Sequence, residues 1–125
     1  MTGRKTCRCT GAATLIFACS GAADVGEIAD RTARKLTRTG AGKMYCLTGI
    51  GGRVASIVKT AQVADTILAI DGCVQNCASH CLEEAGFTKF KTLRLANLGM
   101  DKGMTTVNEK AVVRAAAAAR VLLAS

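Results

Sequence analysis

Cysteine accounts for seven of the 125 residues, and the positions of these thiols matter more than their number. Cys7 and Cys9 stand in a Cys-Arg-Cys near the N-terminus, Cys19 follows an apolar run, Cys46 sits within another, and Cys73, Cys77 and Cys81 recur every four residues directly after Asp71-Gly72. A thiolate is both a nucleophile and a soft metal ligand, so two chemistries are open. Four such sulfurs can hold a tetrahedral ion, and thiolate-rich tetrahedral sites take zinc first, with iron–sulfur as the other choice. In the second chemistry a low-pKa Cys19 or Cys73 at a helix N-terminus acts as nucleophile in a redox enzyme or sulfur carrier, and neighbouring cysteines resolve the intermediate. A disulfide scaffold is the wrong frame. The odd count leaves one thiol unpaired, and a chain of this length buries enough surface to need no staples. Reduced thiols imply the cytoplasm.

The elements that must carry these thiols read as an alternation of strands and helices. Thr14 to Ala18 is a short apolar run closed by Cys19-Ser20-Gly21, and Val25, Ile28, Ala29 and Leu36 then recur at helical spacing, with Asp24 and Glu27 as a capping box and Gly40 and Gly42 at the exit. The pattern repeats. Lys43 to Thr48 is a second strand, Gly49-Ile50-Gly51-Gly52 a turn, and Val54, Ile57, Val58 and Ala61 one face of a second helix. Thr66 to Ile70 and Lys91 to Ala96 give two more strands, separated by a helix with Ala78, Cys81, Leu82 and Ala85 on its apolar face. Thr106 and Glu109 cap a last helix that buries Ala111, Ala115, Ala118 and Leu122.

Four strands, each followed by a helix and apolar on both faces, predict one α/β domain over residues 1–125: a three-layer α/β/α, Rossmann-like sandwich with a mostly parallel sheet. Right-handed crossovers favour the strand order 2-1-3-4, with ligands at the point between the first and third strands where the winding reverses. Residues 1–12 read as a polar, mobile segment ahead of this domain, carrying Cys7 and Cys9 as extra ligands or a clasp over the site. Arg4, Lys5 and Arg8 before Ala12 to Ala18 imitate a lipoprotein signal, but an apolar stretch of about seven residues reads as a buried strand.

On this scaffold Cys19, Cys46 and Cys73 fall at the carboxyl ends of three successive strands. Cys77 shares a helical face with Cys73 if the helix begins near Cys73. The expected metal set is therefore Cys19, Cys46, Cys73 and Cys77. Asp71 is expected beside the ligands, where it either orients one or raises a thiol pKa. Free cysteine also packs as a small hydrophobe. Core packing is the expectation for Cys81 on the Ala78–Leu82–Ala85 face, and a solvent-exposed position for His80.

The net charge of +8 belongs to basic residues dispersed among acidic ones, and the aromatic residues are only Phe17, Tyr45, Phe87 and Phe90. No stacking platform or basic stripe for nucleic acid results, so the expected partners are a metal ion and a small anion or thiol substrate. No apolar run of about 18 residues is present, so no membrane partner is expected.

Three motifs in order, Phe17-Ala18-Cys19-Ser20-Gly21-Ala22-Ala23-Asp24-Val25-Gly26, Met44-Tyr45-Cys46-Leu47-Thr48-Gly49-Ile50-Gly51-Gly52, and Ile70-Asp71-Gly72-Cys73 with Cys77, resemble the DGC-motif family of zinc-binding proteins. The match runs over nearly the whole chain. The resemblance implies a prokaryotic zinc-binding protein with Cys19, Cys46, Cys73 and Cys77 as its functional thiols, and brings no reaction with it. The strand-Cys-loop-helix at Cys19 also resembles the anion loop of small cysteine phosphatases and arsenate reductases. Val25, Gly26 and Glu27 stand where those loops carry an arginine, which argues against phosphoryl chemistry.

Overall fold

The structure, a computed structural model, describes residues 13–125; Cys7 and Cys9 lie outside the described residues. Four parallel strands, β1 (Thr14–Ala18), β2 (Lys43–Met44), β3 (Thr66–Asp71) and β4 (Lys91–Arg94), form one sheet in the order β2-β1-β3-β4. The expected order and parallel sheet are therefore present. Alternate residues of β1 and β3 explain the layers. Ile16, Ala18, Leu68 and Ile70 face a core shared with α1 (Asp24–Arg38) and α5 (Glu109–Ala124), whereas Leu15, Phe17, Ile67 and Ala69 face α2 (Leu47–Gly51), α3 (Ala55–Gln62) and α4 (Cys77–Glu84). Because both faces are covered, the strands read as continuous apolar runs instead of alternating with polar residues. No described helix is long and apolar enough to cross a membrane.

Local departures from the sequence reading have identifiable causes. The second strand stops at Met44. Tyr45 still donates its amide to Ile16 (2.9 Å), but Cys46 then becomes the N-cap of the additional helix α2, its sulfur accepting the Gly49 amide at 3.3 Å. Gly49 permits this turn because a Cβ there would overlap the Ile57 side chain of α3. After Arg94 the chain tightens into a 3₁₀ turn, Leu95–Leu98, instead of continuing as strand to Ala96. Asn108, not Thr106, caps α5 by accepting the Ala111 amide at 2.9 Å, and Glu109 reaches Lys35 of α1 at 2.6 Å.

Asp24 does not act as the N-cap of α1 either. It is the first residue of the helix, where it accepts the amides of Val25, Gly103 and Thr105 and thereby ties the 101–105 loop to α1, while Glu27 pairs with Arg31. These amides hold the Asp24 carboxyl below its ordinary pKa.

The joint between β3 and α4 is the tightest in the fold. Asp71, fully buried, accepts from the Ala78 amide (2.7 Å), the Ser79 amide (3.2 Å) and the Ser79 hydroxyl (2.6 Å). It thus supplies the acceptors that the first turn of α4 needs, since Asn76 makes no side-chain cap. Next to it, a Cβ on Gly72 would stand 2.9 Å from Val25 Cγ2 and 3.0 Å from the Val25 backbone. We therefore expect Asp71→Ala, which orphans three buried donors, to lower stability by at least about 3 kcal/mol, with Asp71→Asn recovering part of it. Gly72→Ala should cost about 1–3 kcal/mol through overpacking against α1. Urea denaturation measures both, and midpoints equal to wild type would contradict this account of the joint.

Candidate functional site

Past the end of β1, Cys19 continues the pairing with β3: its amide donates to Ile70 O (2.9 Å), and its sulfur accepts the Gly72 amide at 3.0 Å. The middle residue of Asp71-Gly72-Cys73 therefore binds the cysteine of the first motif directly. Cys73 follows, half-buried, with its thiol 3.7 Å from Gln75 Oε1. Cys77 is the exposed first residue of α4, and Cys46 the exposed N-cap of α2. The helix thus starts at Cys77, so Cys73 lies in the preceding turn and not on a shared helical face.

All four of these thiols, together with Cys81, line one cleft of about 1070 Å³ at the carboxyl ends of β1 and β3, the topological switch point. Cys81 combines both of its readings. It is half-buried against the second core and also opens into the cleft. His80 stands outside the lining, 68% exposed, with Nδ1 3.5 Å from Glu83, as expected of a surface histidine.

Electrostatics set Cys19 apart. Burial pushes its thiol up from the ordinary 9.0 to about 11; the Gly72 amide pulls the other way, and Asp71, Cys77 and Cys73 add to the rise. Cys81 is also raised, chiefly by burial and then by Cys77, with Arg53 opposing. This direction runs against the low-pKa nucleophile expected at Cys19. The sulfur is withdrawn from water beside a buried carboxyl. Asp71 acts on the thiols through this charge and through the placement of α4, since its own oxygens are occupied by Ala78 and Ser79.

Among the described residues no three His, Cys, Asp or Glu side chains are gathered at metal-ligand spacing. The thiols share a cleft without being drawn into a tetrahedron. Their chemistry fits a soft ion; Cys77 is exposed, whereas the Cys19 and Cys46 sulfurs each accept a backbone amide, from Gly72 and Gly49.

Several contributors were not foreseen from the sequence. Asn76, between Cys73 and Cys77, adopts a left-handed conformation (φ 55°) and accepts from Arg94 Nε at 2.9 Å. Arg53 (φ 58°) donates to the carbonyls of Ile50, Gly51 and Glu84, tying α2 to α4. Lys102 reaches the cleft from the loop held by Asp24. An Asn just ahead of a helix is a usable sequence signal for a left-handed residue; the other two depend on contacts between elements far apart in the chain.

No solved structure matches the chain. The anaerobic and virulence modulator AnvM of Pseudomonas aeruginosa is 35% identical over 88 residues, which cover 70% of this chain and 67% of that protein. The DGC domain matches residues 15–119, a span that holds all of the sheet but Thr14, all five cleft cysteines and the Asp71-Gly72-Cys73 turn that joins β3 to Cys19, and the chain belongs to the DGC-domain family.

Proposed function

We propose that this domain binds zinc through thiolates at the carboxyl rim of its sheet, with Cys19, Cys46, Cys73 and Cys77 as the ligands and Asp71 as the residue that positions α4 beneath them. The observation that carries this reading is the convergence of cysteines from three separate strand ends and one helix start on one cleft. A packing role explains one such thiol but not five. Bound zinc would supply the positive charge that lets neighbouring thiols ionise together. The raised pKa of metal-free Cys19 supports a ligand that ionises on metal binding over a standing nucleophile. Reduced thiols favour the cytoplasm as the working compartment. The relative is named an anaerobic and virulence modulator, and a regulatory role built on these thiols is the corresponding proposal here.

Anaerobically purified protein should carry stoichiometric zinc by elemental analysis, and Cys73→Ser or Cys77→Ser should lose it. Metal-free protein with every thiol freely titratable would sink the proposal, and iron with visible absorption would replace zinc by an iron–sulfur centre. A second expectation concerns protons. Each cysteine releases its proton on binding the ion, and Cys19 holds its proton up to about 11, so zinc affinity should rise steeply from about pH 6 to pH 8. Competition against a chromophoric chelator reads this slope; a flat profile argues against thiolate ligation. In metal-free protein, iodoacetamide should modify Cys19 slowly at neutral pH and faster only toward about pH 11, as followed by peptide mass spectrometry.

A further inference from the structure

The cleft is far larger than an ion requires. A sphere with the zinc–sulfur distance of about 2.3 Å as its radius encloses about 50 Å³, against a cleft of about 1070 Å³. The remainder has the size and character of a small-molecule pocket, which is typically about 300–1,000 Å³, mostly apolar, with a few placed polar groups. Val25, Met44, Tyr45 and Leu47 supply the apolar wall, and Tyr45 is braced edge-on against buried Phe17, with ring centroids 6.2 Å apart.

The charged side chains of the lining are Asp30, Arg34 and Lys102. Arg34 is taken by Asp30, Nε to Oδ2 2.8 Å, and the second oxygen of Asp30 accepts from Ser20 at 3.4 Å. Lys102 pairs with no acid among the described residues. Its place at the mouth is built, because the amides of Gly103 and Thr105 on one side of it are held by Asp24 at 2.8 and 3.0 Å. One unpaired cation in the same lining as an apolar wall favours a ligand with one negative charge and an apolar body.

We infer that the cleft binds a small organic carboxylate, its apolar part against Met44, Tyr45 and Leu47 and its charge toward Lys102. This site goes beyond zinc binding, since it uses the volume and the cation that the thiols leave free. It also stands whether or not the thiols hold a metal.

The test is a titration of the reduced full chain, as purified, with phenylacetate and with neutral phenylacetamide, followed by amide shifts in two-dimensional NMR. Phenylacetate should give saturable shifts at Tyr45, Leu47 and Lys102 and bind more tightly than the amide by up to about fivefold, the size expected of one solvent-facing charge contact. Lys102→Glu should weaken phenylacetate by about tenfold without weakening phenylacetamide. The control Lys110→Glu, on the exposed start of α5, should leave both unchanged. The inference is overturned by unsaturated shifts, by equal binding of acid and amide, or by a loss in Lys110→Glu as large as in Lys102→Glu, which would mean attraction to net charge alone. Zinc content is measured on the same sample, so failure of the metal reading and failure of the carboxylate site are seen separately.

Discussion

Asp71 is taken out of water at the end of β3 and stays there because α4 meets it with three donors. A buried carboxyl is costly unless its oxygens are satisfied, so the helix cannot move away without exposing that cost. The rest of the rim follows from this one joint. With α4 fixed at Ala78 and Ser79, Cys77 must begin the helix and Cys73 must lie in the turn before it. Gly72, between Asp71 and Cys73, is left with its amide directed at Cys19 and its α-carbon against Val25. The three residues Asp, Gly and Cys thus have three distinct duties: anchoring a helix, admitting close packing while donating to a thiol, and presenting a thiol.

The same joint creates an electrostatic tension. Asp71 contributes negative charge next to Cys19, and ionised Cys73 and Cys77 would add more. In the absence of a cation the cheapest state is a protonated Cys19. A single amide donor from Gly72 does not reverse this, because burial is the largest contribution and acts against ionisation. Under the zinc-binding proposal, an incoming divalent ion would change the sign of this local field.

The parallel sheet, its order and the assignment of Cys19, Cys73 and Cys77 to one rim were legible because they rest on continuous apolar runs and on where those runs stop. Thr14–Ala18 and Thr66–Asp71 are too short and too apolar to be anything but buried strands once helical patterns follow each of them. What was not legible depended on side chains choosing between partners. Cys46 resembled a strand residue because Met44-Tyr45-Cys46-Leu47 is apolar; only the Gly49 amide folding back to its sulfur makes it a cap. Asp24 and Glu27 have capping-box spacing, yet Asp24 was drawn to amides some 80 residues away. Cys81 had the spacing of a core residue, and periodicity has no means of reporting that one edge of that face borders a cleft.

The backbone strain in the described residues points to the same place. Arg53 and Asn76 are the non-glycine residues with left-handed φ, and they hold opposite ends of α4. Asn76 precedes its first residue and is held by Arg94 at the end of β4. Arg53 grips the carbonyl of Glu84 at its last. Such conformations cost of order 1–3 kcal/mol each and persist where the surroundings over-determine them. Here the surroundings include the guanidinium groups of Arg53 and Arg94, which donate to carbonyl and amide oxygens and do not line the cleft. An eight-residue helix of modest apolar content is thereby fixed at its start by Asp71 and Asn76 and at its end by Arg53. This rigidity places Cys77 and Cys81, one turn apart, in the lining of the cleft that Cys19 and Cys73 share.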